Sequence, residues 1–326
     1  MNQFSYVRAT TAKAAIDAIS KDKNARFIAG GTNLLDLMKS GVLAPERLID
    51  INRLPFKDII LQNNSLHIGA MALNSEVAAH ELVKTHHPLL SQALLAGASQ
   101  QLRNMATIGG NMMQRTRCSY FYDTSMPCNK RTPGSGCGAI GGINRMHAIF
   151  GASDQCIAVH PSDMCIALVA LDATVLVTGP KGNRRIPFGD FHRLPGDTPD
   201  KDNNLAKNEL ITGIEIPASP FTKNVYYLKV RDRASYAFAL VSVAAALDIS
   251  NNTIRAARLA MGGVAHKPWR LQEAEKTLIG KAPTAENFRI AATVATQSAR
   301  PYKHNAFKVP LAQNSIVTAL QKAAAI

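Results

Sequence analysis

The stretch from residue 112 to about 155 constrains this sequence more than any other part of it. It is dense in Cys, Gly, Pro, Arg and Asn. It shows neither the apolar period of two that makes a half-buried strand nor the period of 3.6 that makes an amphipathic helix. Loops of this length are uncommon inside a compact domain unless something besides a hydrophobic face holds them. Four of the five cysteines, Cys118, Cys128, Cys137 and Cys156, lie in this stretch or at its edge.

Their spacing, Cys118-x9-Cys128-x8-Cys137-x18-Cys156, does not fit the paired C-x2-C units of zinc ribbons. Four thiolates bind either zinc or a [4Fe-4S] cluster, and long uneven spacings suit a cluster wrapped by an irregular loop. Several unrelated buried cysteines is the competing reading, and it leaves the loop unsupported. An odd cysteine count without a secretory start argues against a disulfide framework. Cys165 falls in an apolar run with Ile166, Ala167 and Leu168 and reads as a small hydrophobe. Arg115, Arg117, Lys130 and Arg131 flank the cysteines, either to offset the charge of a thiolate-bound centre or simply as exposed side chains.

The rest of the chain reads as ordinary folded protein, long enough at 326 residues for two or three domains. Arg26–Ala29 is expected as a strand, followed by the turn Gly30-Gly31-Thr32-Asn33, a helix through Lys39 stopped by Gly41, and a strand over Arg47–Ile51. Leu66–Ile68 reads as another strand. Helices are expected at Ser75–Lys84, with Asn74 as N-cap, and at Pro88–Ala98. Pro161 opens a helix through Ala170, and Thr174–Thr178 and Glu209–Pro217 read as strands. Beyond Pro217 and Pro220 the pattern changes. Val225–Val230, Ala237–Ile249 and Thr253–Met261 predict a three-stranded antiparallel sheet covered by helices at Leu271–Ile279, Ala285–Ser298 and Ser315–Ala324. The expected fold is therefore α+β, with a first domain over 1–220 that carries the insert at about 112–157, and a second over 221–326.

Two glycine turns point to a ligand. Gly30-Gly31-Thr32-Asn33-Leu34 and Thr107-Ile108-Gly109-Gly110-Asn111 both let the backbone approach a bound group closely and present free amides suited to phosphate. Together they suit a diphosphate gripped from both sides. Neither is the G-x-G-x-x-G of a dinucleotide-binding unit. The net charge of +14 raises the question of nucleic acid. The basic residues are scattered singly, however, and aromatics are only 6%. An acidic protein partner or an anionic cofactor is the better expectation. The apolar stretch Tyr236–Ile249 is broken by Ser242 and Asp248 and is too short to span a bilayer. Met1–Ser20 reads as an amphipathic helix with Ala14, Ala15, Ile16 and Ile19 on one side, and not as a secretory signal. Export as the passenger of a signal-bearing partner stays open.

Ala29–Lys39 (AGGTNLLDLMK), Thr107–Asn111 (TIGGN) and His160–Met164 (HPSDM) resemble, in order, the three flavin-contacting motifs of the FAD subunit of molybdenum hydroxylases, the family of xanthine dehydrogenase, carbon monoxide dehydrogenase and aldehyde oxidoreductases. Glu209–Pro217 (ELITGIEIP) and Tyr227–Val243 (YLKVRDRASYAFALVSV) extend the likeness over nearly the whole chain. The resemblance implies a two-subdomain FAD-binding fold with a C-terminal flavoprotein domain. It implies that Arg26, Phe27, Ile28, Ala29, Gly30, Gly31, Thr32, Asn33 and Leu34, with Thr107, Ile108, Gly109, Gly110 and Asn111, hold the diphosphate and adenosine side of FAD. Asp163 would bond ribityl or ribose hydroxyls, and Ile211 and Lys229 would lie near the isoalloxazine.

Arg115–Ile140 (RTRCSYFYDTSMPCNKRTPGSGCGAI) resembles the insert of a subset, bacterial periplasmic-type aldehyde oxidoreductase more than 4-hydroxybenzoyl-CoA reductase, in which the flavin subunit carries a [4Fe-4S] cluster. This implies Cys118, Cys128, Cys137 and Cys156 as its ligands. It also implies two partners, a large molybdenum-cofactor subunit and a small subunit with two [2Fe-2S] clusters, together with an external electron acceptor and periplasmic export alongside a partner (the alternative being the cytoplasm). No acid–base or nucleophilic catalytic residue is nominated. A stand-alone flavin oxidase, a zinc-holding nucleic-acid binder and a purely structural cysteine clip are the competing readings.

Overall fold

The computed structural model describes residues Met1–Ala325. Three sheets organise the molecule. The first is parallel, in the order β1-β3-β2, from β1 (Ser5–Arg8), β2 (Ala25–Ile28) and β3 (Arg47–Asp50). The helices Ala12–Ser20 and Leu34–Lys39 make the crossovers. Thr11 starts the former by accepting the amide of Ala14 at 3.1 Å, and the helix buries Ala15, Ile16 and Ile19. Ala14, expected on the same face, is exposed.

The second sheet runs β4-β5-β8-β6-β7, with antiparallel neighbours throughout. It is built from β4 (Ile59–Gln62), β5 (Ser65–Gly69), β6 (Thr174–Gly179), β7 (Gly182–Pro187) and β8 (Leu210–Pro217). Asn63 and Asn64, at φ 50° and 59°, close the β4–β5 hairpin in the left-handed conformation that asparagine tolerates. The third sheet is antiparallel, β9 (Val225–Val230), β10 (Val241–Ser250), β11 (Thr253–Gly262) and a two-residue edge, β12 (Trp269–Arg270). The three expected strands thus pair as anticipated, and β12 adds to their edge.

Strand β10 explains how the sheets join. Its odd positions, Val241, Val243, Ala245 and Leu247, pack with the helices Gln272–Leu278, Ala285–Thr296 and Lys308–Ala324. Ala244 and Ala246 on the other face meet the core of the first domain, including the Asp163–Ala170 helix. With both faces covered, the strand reads as a continuous apolar run. All eight residues of the Asp163–Ala170 helix are buried.

Some local expectations are corrected. The helix expected over Ser75–Lys84 is two, Asn74–Ala79 and Glu81–His86. His80 separates them with ψ 134° while its Nδ1 accepts the Leu82 amide at 3.3 Å. Asn74 is the first helical residue and not the cap. Ser162 caps the helix expected to open at Pro161, accepting the Cys165 amide at 3.2 Å. The last helix begins at Lys308, a full two turns before Ser315. Among the described residues no helix is long and apolar enough to cross a membrane.

Candidate functional site

The two glycine turns face each other across a cleft of about 380 Å³, within the size range of small-molecule sites. Residues 26–34, Thr107, Gly109, Gly110 and Ile211 line it. Thr107 caps the short Ile108–Met112 helix through the Gly110 amide at 3.2 Å. Gly30 also has a packing reason, besides the expected approach of a ligand. A Cβ there would fall 1.7 Å from the Met105 carbonyl oxygen, so the missing side chain lets one turn pack on the approach to the other. Gly31 has φ +73°, which disfavours any side chain.

The cleft is net cationic. Arg26, Arg115 and Lys207 line it against one carboxylate, Glu209. Burial and then the charge of Arg115 lower the Arg26 pKa, and burial and then Arg26 lower that of Lys207. Crowded like charges of this kind are relieved by an anion. Asn33 adds a specific donor. Its Oδ1 accepts the Arg115 amide at 3.0 Å, while its Nδ2 is buried without a hydrogen-bond partner among the described residues. An unspent donor beside two glycine turns and three cations fits the diphosphate of FAD. Arg115 and Lys207 were not legible as cleft residues in the sequence, because they lie far along the chain from Gly30.

Not every expected residue reaches this cleft. Ile108 is buried in the core. Asn111 Oδ1 instead accepts the Ser162 hydroxyl at 2.5 Å, joining the second turn to the HPSDM segment. Asp163 and Lys229 pair with each other at 2.7 Å, and Tyr227 donates its hydroxyl to the other Asp163 oxygen at 2.8 Å. Asp163 faces a second hollow of about 100 Å³, shared with Arg117, Cys118, His147 and Phe238. This hollow joins the HPSDM turn to the cysteine loop.

Cys118, Cys128, Cys137 and Cys156 converge on one small interior hollow, with His147 beside them. Cys128 and Cys137 pair as an antiparallel bridge, which brings two of the four together. His147 Nε2 is 3.1 Å from Cys118 Sγ. Burial pushes the Cys118 thiol up to about 12 and that of Cys156 up to about 11, the latter opposed by the charge of Lys130. Unligated, these thiols stay protonated at neutral pH, so loading a metal must expel protons.

Four convergent thiols are a donor set for either a zinc ion or an iron–sulfur cluster.

The neighbouring cations are all engaged. Lys130 is buried and held by Asp202 and the Pro199 carbonyl, and Arg115 reaches the other Asp202 oxygen at 2.7 Å. Lys130, then Arg115 and His266, hold the buried Asp202 carboxyl well below its ordinary range against the pull of burial. Arg117 bonds Asp36 at 2.7 Å, and Arg131 clasps the carbonyls of Tyr120, Phe121 and Met126. Lys308, fully buried, donates to the His147 and Gly263 carbonyls, and Asn305 donates to those of His147 and Ala148. The loop is thus tied down from three sides.

A cation-rimmed glycine cleft beside a buried thiol quartet, in this arrangement of sheets, defines a flavoprotein of a specific class. The chain belongs to the family of FAD-binding subunits of molybdenum hydroxylases. A family model described as the FAD binding domain in molybdopterin dehydrogenase matches residues 2–219, and one for the CO dehydrogenase flavoprotein C-terminal domain matches residues 226–323. As such it is part of an oxidoreductase.

Among its relatives is the aldehyde oxidoreductase FAD-binding subunit PaoB of Escherichia coli, 47% identical and covering 100% of this chain and 99% of that one. The glyceraldehyde dehydrogenase medium chain of Sulfolobus acidocaldarius is 33% identical over 93% of this chain and 90% of its own. Among solved structures, a carbon monoxide dehydrogenase from Hydrogenophaga pseudoflava superposes with a TM-score of 0.78 at 26% identity, covering 99% of this chain and 98% of that one.

Proposed function

We propose that this chain is the FAD- and [4Fe-4S]-carrying electron-transfer subunit of a molybdenum-dependent aldehyde oxidoreductase. In the proposed complex a large subunit bears the molybdenum cofactor, a small one bears [2Fe-2S] clusters, and an external acceptor takes the electrons. The named activities of the Escherichia coli and Sulfolobus relatives support the aldehyde. The observation that supports the cluster is the convergence of the four thiols on one interior hollow, and the resemblance of the insert is what favours iron–sulfur over zinc. Residues 1–220 would form the FAD-binding domain and 221–326 the C-terminal flavoprotein domain. Export to the periplasm with a signal-bearing partner belongs to the same proposal and rests on the resemblance of the cysteine insert.

Bound FAD would supply two-electron redox chemistry, and the cluster a one-electron relay. The chain's own residues bind and orient. Gly30, Gly31 and Gly110 would give the diphosphate close access to the backbone, and Asn33 Nδ2 would donate to it. Arg26 and Lys207 would offset its charge, whereas Arg115 is already paired with Asp202. Asp163, fixed by Lys229 and Tyr227, lines the hollow that joins the HPSDM turn to the cysteine loop. Cys118, Cys128, Cys137 and Cys156 would give up their protons and hold the iron. Arg131 and Lys308 hold the loop that carries them. The experiment is anaerobic reduction. An aromatic aldehyde should bleach the flavin of the co-purified complex within turnover time and leave that of the isolated chain oxidised. Bleaching in the isolated chain would make it a stand-alone flavin oxidase instead.

The runner-up places the same subunit in another molybdenum hydroxylase, of the xanthine dehydrogenase or aryl-CoA reductase type, and predicts flavin bleaching by those substrates and not by aldehydes.

A further inference from the structure

Three donor atoms outside both the glycine cleft and the cysteine quartet meet in the interior. One donor atom each from His160, Cys165 and His192 lie within 4.8 Å of one another. The residues are 6%, 0% and 3% exposed. The two imidazole rings stand 4.2 Å apart between centroids, tilted by 51°. His192 Nε2 lies 2.9 Å from the Met112 carbonyl oxygen. A carbonyl only accepts, so Nε2 carries the hydrogen and Nδ1 carries the lone pair. That Nδ1 is buried without a hydrogen-bond partner among the described residues, and so is His160 Nε2.

Two orphaned imidazole nitrogens beside a thiol are costly to bury unless something takes their lone pairs. The arrangement is the one metal-ligating histidines adopt, with the far ring nitrogen donating to a backbone carbonyl and fixing the tautomer. Burial keeps both imidazoles neutral, His192 at about 4 and His160 well below its ordinary value, so their lone pairs are free at neutral pH.

We propose that His160, Cys165 and His192 form a structural site for one thiophilic metal ion of the zinc class, separate from the cysteine quartet. Binding forms a metal–sulfur bond and two metal–nitrogen bonds. The Cys165 proton leaves to solvent, and no oxidation occurs. Burial holds that thiol up at about 12, so the ion and not the pH must displace the proton. Asp202 lies within electrostatic reach of His160, opposed by Lys130, and offers negative charge to the ion. Softness and geometry both suit the site: a thiolate and two imidazoles make three sides of a zinc tetrahedron. The ion would fasten the start of the Asp163–Ala170 helix to His192, which grips the end of the short helix bearing Gly109 and Gly110. The proposal stands whether or not the cleft takes FAD.

The test uses the assembled complex, incubated with Zn(II) and desalted, with metal quantified by mass spectrometry and its shell read by zinc K-edge absorption. One zinc per chain with one sulfur and two imidazole neighbours is expected. Cys165→Ala, which keeps the site small and apolar, and His192→Gln, which keeps a donor for Met112, should each lose that zinc while retaining flavin and iron. Absence of zinc, as when an ordered water fills the site, would overturn the proposal. So would a four-sulfur shell, or undiminished zinc in Cys165→Ala, which settles the matter even where His192→Gln does not fold.

Discussion

The Lys229 ammonium sits 2.7 Å from Asp163 Oδ2, and both side chains are almost sealed from water, at 5% and 7% exposure. This ion pair ties β9 of the C-terminal sheet to the helix that opens with HPSDM. Tyr227, which donates to Asp163 and lies 3.0 Å from Ser242, extends the tie to β10.

Removing one partner of a buried pair strands the other charge, which costs about 3–5 kcal/mol. Lys229→Met should therefore lower the apparent Tm markedly and reduce flavin content. Adding Asp163→Asn to Lys229→Met should recover part of the loss, because no bare carboxylate remains. Thermal unfolding of the two singles and the double measures this. Additive losses would show that the pair does not act as a unit.

At Gly30 an added methyl would meet the Met105 carbonyl oxygen at 1.7 Å, whereas at Gly189 it meets nothing within 4 Å among the described residues. Gly30→Ala must push the two turns apart, an overpacking penalty of about 1–3 kcal/mol or more. Flavin retention after dialysis should fall roughly tenfold or more. Gly189→Ala should retain flavin as the parent does.

Asp50 gives the fold a defined acid sensitivity. Burial pushes its carboxyl up, but hydrogen bonds from Tyr6, Asn52 and Arg8 outweigh this and bring it to about 2. In the unfolded chain it titrates near about 3.9. Its contribution, on the order of 1–2 kcal/mol, is fully present above about pH 4 and lost as pH falls towards about 2. Tyr6→Phe should flatten the slope of apparent Tm against pH across that window. An unchanged slope would mean that Tyr6 does not set the shift.

The strands that pattern reading missed share a physical cause. β1, β4 and β7 are all sheet edges. Every residue of β1 is exposed, and all but one of β7. A strand with no buried face carries no alternation to read. The Asn63-Asn64 pair that closes the β4 hairpin is a signal of turn chemistry, which a reading of periodicity passes over.

The site divides in the same way. Gly30, Gly31, Gly109 and Gly110 were legible because turn glycines act locally, and the quartet because an aperiodic loop demands a support. The Arg115–Asp202–Lys130 network, the Lys308 clamp and the His160–Cys165–His192 cluster were not. Each needs at least one residue distant in sequence to complete it, and each looks locally like an ordinary surface charge or core filler.

The central claim is that one chain holds flavin in the glycine cleft and iron on the quartet. The most direct measurement is flavin and iron content, with EPR of the reduced sample, on the co-purified complex and on its Cys128→Ser variant. The account predicts FAD in both, with the [4Fe-4S] signal present in the parent and absent from the variant. A parent complex containing neither flavin nor that signal, or a variant with its iron undiminished, would contradict it.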